Sequence, residues 1–392
     1  MGIAQALTLL ASSAALLSVV TAGGSAGASP GAGSYFSRPR PCGPTPPKPA
    51  AGKVWFGVSL DAANLTVQKY AARLGHTPAV LVQFANLPMT GQDKTFVDQA
   101  IVDAREIGSS LLLTLEPTMG LAAVTTPVVN ELVKQVAGAE AQGVPVIVRF
   151  AQEMNGTWYP WGQQPAAYIS AFRKVADAIH SDAPGAAMLW APNEGTGYPF
   201  SGGKYEAKPG SPSFKILDTN HDGKLDSGDD PYAPYWPGRR YVDWVGLTIY
   251  HWGNKYPWGA NVLPPAGKFE AILRGTFLTH GAKLPDFYAI YGVGQHLPVA
   301  VTETSALYNP SRRGASDFAI KQAWWKQVFA SSVPKDLPDL RMINWFEWDK
   351  FEQQTHSFID WAVTDVPAIR KAFVAALPSW LTYGSRSGLC SR

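Results

Sequence analysis

The chain has 392 residues, 46% of them apolar and 16% charged, with a formal net charge of +3. That apolar share supplies one large core and excludes a disordered chain, and the length suits a single large barrel with extensions. A weak charge without any run of Lys or Arg excludes nucleic acid as a partner.

In chain order, residues 1–28 are apolar and small. They read as a signal peptide, although no Lys or Arg precedes the apolar stretch. A membrane anchor is the alternative, but the stretch is short and rich in Ala and Ser, and no later segment reads as a membrane span. Residues 29–53 are rich in Pro, Gly and Ser and form an extended lead-in. A single catalytic domain is expected over 54–392. The two cysteines, Cys42 and Cys390, stand near opposite ends of it. In an oxidising compartment they would form one disulfide tying those ends together; two free thiols are the alternative. The sequon Asn64-Leu65-Thr66 agrees with secretion.

From Val54 onward, short apolar runs alternate with helical patterns. Strands are predicted at Val54–Leu60, Ala79–Phe84, Ser110–Leu115, Val144–Phe150, Ala187–Ala191, Val242–Tyr250, Val299–Thr302 and Leu340–Trp345. Their lack of polar alternation fits strands buried on both faces. Helices are predicted at Thr66–Leu74, Lys94–Ile107, Pro127–Ala141, Pro165–Ala178 and Ser316–Ala330. Alternation of this kind predicts an α/β fold, a (β/α)8 barrel, rather than an open doubly wound sheet, because no GxGxxG follows the first strand.

Barrel enzymes place their chemistry where strands end and loops begin. The residues there are Asp61, Glu116, Gln152–Asn155, Asn193–Glu194, Tyr250–Trp252, Glu303 and Glu347–Asp349. Carboxylates and aromatics thus gather at one rim. Among 14 Trp, 15 Tyr and 17 Phe, those near the rim suit stacking against the apolar faces of sugar rings, while the rest fill the core. Cleaving a glycosidic bond takes two carboxyl groups, one protonated and one ionised. Glu153 and Glu303, after the fourth and seventh strands, could face each other across one sugar. Spacing alone leaves Glu116, Glu194 and Glu347 equally eligible.

Local context discriminates. Val146–Gly162 reads VIVRFAQEMNGTWYPWG, with Arg149 able to pair a carboxylate and Trp158, Tyr159 and Trp161 able to wall a subsite. Pro298–Ala306 reads PVAVTETSA and puts Glu303 at a strand end. The patterns RFxxEMNGxWYPW and VTET resemble the acid/base and nucleophile motifs of glycoside hydrolase family 26, a resemblance that runs over roughly 54–376. It implies a retaining β-glycosidase with Glu153 as acid/base and Glu303 as nucleophile. It further implies that Tyr250 hydrogen-bonds the nucleophile, that Trp158 borders the cleavage subsite and that Trp345 forms a sugar platform at the barrel floor. Arg149, Gln152, Asn155, Trp161 and Trp252 complete the expected substrate-binding set. The family usually has His before the acid/base; Gln152 stands there instead and cannot titrate. A β-1,4-mannanase is the first expectation, with mixed-linkage β-glucan or β-1,3-xylan as alternatives. A non-catalytic carbohydrate-binding barrel is a reading of another class, opposed by the presence of both glutamates. The expected partner is a polysaccharide, met outside the cell by a monomer, without membrane involvement. A second sequon, Asn155-Gly156-Thr157, lies inside the motif, where a glycan would block the cleft.

One further motif lies between the fifth and sixth strands. Asp218, Asn220, Asp222, Lys224 (through its carbonyl), Asp226 and Asp229 sit at the ligand positions of an EF-hand-type loop, with Gly223 at its sixth position and Asp in place of Glu at its twelfth. A structural Ca2+ is expected there, clipping the insertion Gly195–Arg240. A solvated acidic turn is the alternative. No HxH or HExxH spacing suggests a catalytic metal, so catalysis is expected to use no cofactor.

Overall fold

Eight parallel strands close on themselves in sequence order, as the alternating pattern predicts. They are β1 (Val54–Leu60), β2 (Val80–Asn86), β3 (Ser110–Glu116), β4 (Val146–Phe150), β5 (Ala187–Trp190), β6 (Trp244–Thr248), β7 (Val299–Thr304) and β8 (Leu340–Glu347). Each pairs with the next, and β8 returns to β1 from Trp55↔Met342 to Leu60↔Glu347, which closes the barrel. The computed structural model describes residues 42–277, 283–385 and 389–390. The expected signal peptide (1–28) and the first part of the lead-in (29–41) lie outside the described residues.

The connecting helices start where polar side chains can satisfy free backbone donors. In α1 (Val67–Leu74) the Thr66 hydroxyl accepts from the Lys69 amide. In α2 (Gly91–Ile107) Thr90 and Asp93 form a reciprocal capping box. Both helices end on a glycine in the left-handed region, Gly75 (φ 74°) and Gly108 (φ 73°). Next come α3 (Thr126–Ala141) and α4 (Pro165–Asp182), then the short α5 (Pro212–Leu217) in the long insertion. They are followed by α6 (Lys268–Leu273), α7 (Asp317–Val328), α8 (Val333–Asp336) and α9 (Pro367–Ala376). The elements outside the predicted pattern include α5, α6, α8 and α9, the hairpin of β9 (Asp349–Glu352) with β10 (Ser357–Asp360), a π-helical turn at Tyr288–Val293, and β11 (Leu381–Thr382), which adds in parallel to β1.

Two apolar layers hold the barrel. Inside it, Val80, Val82, Leu112, Ile147, Ala187, Leu189, Trp244, Ala300 and Met342 form one buried cluster. Between barrel and helices, the alternate residues of the same strands form the main core with the helix faces. At the N-terminal end of the strands, Trp55 stacks on Trp244 with ring centres 5.9 Å apart. The lead-in crosses this end: the Trp244 indole donates to the Pro47 carbonyl at 3.0 Å. The expected disulfide is present there, joining Cys42 and Cys390 with Cα atoms 4.6 Å apart. The filled interior and closed floor leave only the C-terminal mouth of the barrel for chemistry.

Candidate active site

Glu153 owes its position to backbone that most residues avoid. After β4 the chain passes through Ala151 (φ 48°) and Glu153 (φ 56°), both left-handed without glycine. Such conformations cost of order 1–3 kcal/mol each and concentrate at functional sites. The surrounding sequence holds them. The Glu153 amide donates to the Ala191 carbonyl at 2.9 Å, pinning the turn to the end of β5. Asn155 clamps the same neighbour with both ends of its amide, donating to the Asn193 carbonyl and accepting from the Asn193 amide, each at 2.8 Å. Trp161 donates to the Gln152 carbonyl at 2.7 Å and stacks flat on Tyr159. Trp158 lies over Gly156, where a Cβ would meet its ring at 2.4 Å, and its indole donates to Glu153 Oε2 at 2.9 Å. The motif is therefore a scaffold that aims one carboxyl.

Glu303 reaches the mouth by breaking the strand's alternation. On β7, Ala300 faces inward, and Thr302 likewise, its hydroxyl 3.3 Å from that of inward-facing Thr248. Strict alternation would send Glu303 outward. Register shifts between Leu247 and Thr248 on β6, and between Val301 and Thr304 on β7, change the phase. Glu303 points in, and Thr304 points out to accept from the Trp324 indole of α7 at 3.0 Å. Inside, Arg149 pairs with Glu303 Oε1, and the Tyr250 hydroxyl donates to Oε2 at 2.7 Å. Arg149 is fully buried and donates also to Thr248 at 2.7 Å.

The two carboxyls are thereby made unequal. Burial, then the charge of Glu303, pushes the Glu153 carboxyl up to about 7. Glu303 has a buried cation and a phenol O–H on its two oxygens.

The rival rim glutamates separate on their contacts. Glu347 turns outward and accepts from the Val363 and Thr364 amides and the Thr364 hydroxyl. Glu194 caps a short 3-10 turn, accepting from the Thr196 amide and hydroxyl at 2.7 Å. Glu116 faces the mouth beside the pair, with Oε1 accepting from Gln152 Nε2 at 2.8 Å.

Four residues of the expected substrate-binding set are buried and engaged by other protein groups. Asn155, Trp161 and Trp345 are fully buried, and Gln152 is 1% exposed. Asn155 and Trp161 brace the turn, and the Gln152 amide is engaged with Glu116. Trp345 is no platform. It lies on the outward face of β8, packed against Phe329 and Phe373 beneath the helices, while its neighbours Asn344 and Phe346 face inward. Arg149 and Tyr250 contact Glu303, Trp158 contacts Glu153, and Trp252 packs on Tyr250 and Trp361. Near the mouth, Tyr250, Trp252, Phe346, Trp348 and Trp361 pack in one aromatic cluster. Phe346 and Trp348 stack with ring centres 5.7 Å apart. A strand-end reading reaches Trp348, whereas Trp361, beyond the hairpin, carries no local signal.

The loop at 218–229 is organised by its own carboxylates. Asp218 accepts from the Asp222 and Gly223 amides at 3.1 and 3.0 Å, and Asp229 from those of Thr219 and Asp226 at 2.7 and 3.0 Å. Asn220 and Asp222 accept from amides two residues on, as does Asp226. Gly223 takes φ 83°, as the sixth position of such a loop requires. Among the described residues no three His, Cys, Asp or Glu side chains converge in a group that could hold a metal.

Comparison with known proteins bears on this geometry. The family model described as Glycosyl hydrolase family 26 matches residues 81–206, from β2 to beyond β5, and so includes the whole Glu153 motif. Endoglucanase H of Acetivibrio thermocellus is 25% identical over 129 residues; the match spans 31% of this chain and 11% of that protein. A Cellulomonas fimi endo-beta-1,4-mannanase double mutant aligns with 87% of this chain and 75% of its own, at 15% identity and a TM-score of 0.55. The catalytic domain of a Bacillus sp. JAMB-750 GH26 endo-beta-1,4-mannanase aligns with 84% of this chain and 87% of its own, at 16% identity and a TM-score of 0.51. These structures share the barrel fold. The matched segment contains the Glu153 motif, so this part of the chain is similar to glycosyl hydrolase family 26.

Proposed function

We propose that the protein is a secreted retaining endo-β-glycosidase that hydrolyses β-1,4-mannan. The observation that carries the reading is the unequal pair: Glu153, protonated up to about 7, opposite Glu303, which is engaged by Arg149 and Tyr250. In the first step Glu303 attacks the anomeric carbon as the bond to the leaving oxygen breaks, and Glu153 gives its proton to that oxygen. Trp158 donates to Oε2 of Glu153 and orients the carboxyl for that transfer. In the second step Glu153, now ionised, takes a proton from water. The resulting hydroxide bonds to the anomeric carbon and releases Glu303 as a carboxylate. Retention requires closely spaced carboxyls.

Mannan is preferred because two relatives of the same fold carry mannanase in their titles. The endoglucanase name of the third makes β-glucan the second reading. The Cys42–Cys390 disulfide supports an oxidising, extracellular setting. For the loop at 218–229, Asp218, Asn220, Asp222, Asp226, Asp229 and the Lys224 carbonyl supply the hard oxygen donors that Ca2+ takes, and the ion would serve there as a structural clip. The test of function is product analysis on mannan, glucomannan, mixed-linkage glucan, laminarin and xylan, with Glu153→Ala and Glu303→Ala as controls. Cleavage of none of these glycans by the wild type, or full activity in both variants, refutes the assignment.

A further inference from the structure

The two-carboxyl reaction leaves Glu116 without a role, yet the fold presents it to the same space. It ends β3 on the inward face, in step with Leu112 and Thr114, one strand from Arg149. It is 8% exposed, and the charges of Glu303, Arg149 and Glu153 all act on it. Its carboxyl is tethered at one point. Oε1 accepts from Gln152 Nε2 at 2.8 Å, and Oε2 takes no hydrogen bond from any described residue. Glu194, Glu303 and Glu347 differ in this respect, since protein donors occupy both oxygens of each.

The tether is rigid. Gln152 is 1% exposed, follows the left-handed Ala151, and its carbonyl is fixed by the Trp161 indole. Its own Oε1 is buried without a partner. Glu116 Oε2, by contrast, is not sealed off from the mouth, so a ligand hydroxyl can donate to it in place of solvent.

We propose that Glu116, oriented by Gln152, is a specificity-determining residue whose Oε2 hydrogen-bonds a ring hydroxyl of the sugar held beside Glu153. A fixed oxygen reads the direction of a hydroxyl, so it distinguishes sugars that differ only in hydroxyl stereochemistry. The Gln at 152 thereby acts on substrate choice through Glu116, not by touching the sugar. The proposal rests on the glycosidase reading above.

Binding of mannohexaose and cellohexaose to the full chain is measured by calorimetry in a Glu303→Ala background, which stops turnover. Adding Glu116→Ala weakens the preferred hexaose about 10-fold, narrows the gap between the two sugars and leaves Tm unchanged. Adding Glu116→Gln, which keeps the tether and a polar atom facing the sugar, holds affinity within about threefold. Unchanged affinity in the alanine variant overturns the proposal. Equal weakening in both variants with a lowered Tm also overturns it, in favour of a structural role. If the Glu303→Ala parent binds neither hexaose nor any other β-glycan, the glycosidase reading itself fails.

Discussion

Replacing Glu303 by Gln removes one negative charge from the mouth and leaves the side chain's shape. Burial is the larger reason that the Glu153 carboxyl is raised from an ordinary 4.5 to about 7, and the charge of Glu303 is the next. Without that charge, Arg149 also loses its partner and its field falls on Glu153 with lowering sign. The Glu153 midpoint therefore falls below 7 in the variant, towards but not reaching 4.5, because burial remains. The whole displacement in the wild type corresponds to about 3 kcal/mol favouring the neutral form, which bounds the effect of the substitution. A carboxyl raised in the folded state stabilises the protein fully below its unfolded value of about 4.5, and that contribution is lost as pH rises through about 7. Wild-type kcat/KM accordingly falls on the alkaline side as Glu153 loses its proton. The assay is 13C NMR titration of the glutamate carboxyls in both proteins, with Glu153 assigned through Glu153→Gln. A wild-type Glu153 that titrates near 4.5, or one whose midpoint is unmoved by Glu303→Gln, refutes the reasoning.

Other consequences follow from the same contacts. Cys42→Ser removes a crosslink spanning 348 residues, whose constraint on the unfolded chain is worth up to about 5 kcal/mol. Guanidinium unfolding should show that loss while kcat at 25 °C is kept, and equal stability of the two proteins would contradict it. Trp345→Ala opens a cavity against Phe329 and Phe373 and costs about 3–5 kcal/mol, with KM unchanged in whatever folds. Trp345→Phe, a milder change, separates the alternatives: a raised KM at intact Tm would restore the platform role. EDTA should lower Tm if the loop at 218–229 holds calcium, and added Ca2+ should restore it; an unchanged Tm argues against a coupled site.

The sequence alone determined the order of the barrel strands and singled out Glu153 as the candidate acid/base. Strands of a parallel barrel are buried on both faces and read as apolar runs, so their number and positions were legible to within a few residues. Glu153 was legible because its neighbours Asn155, Trp158 and Trp161 are a scaffold for it, and a scaffold of specific side chains leaves a specific motif. Only the tertiary structure decided which way side chains face. A strand apolar on both sides carries no polar alternation to tell inside from outside, which is why Trp345 was expected in the cleft and lies under the helices. The inward aim of Glu303 depends on register shifts with β6 and β8, which are properties of strand pairs rather than of either sequence. The Glu116–Gln152 contact likewise joins residues 36 positions apart on neighbouring strands. Periodicity along one strand could not reveal it, and the barrel's closure brings it beside Glu153 and Glu303.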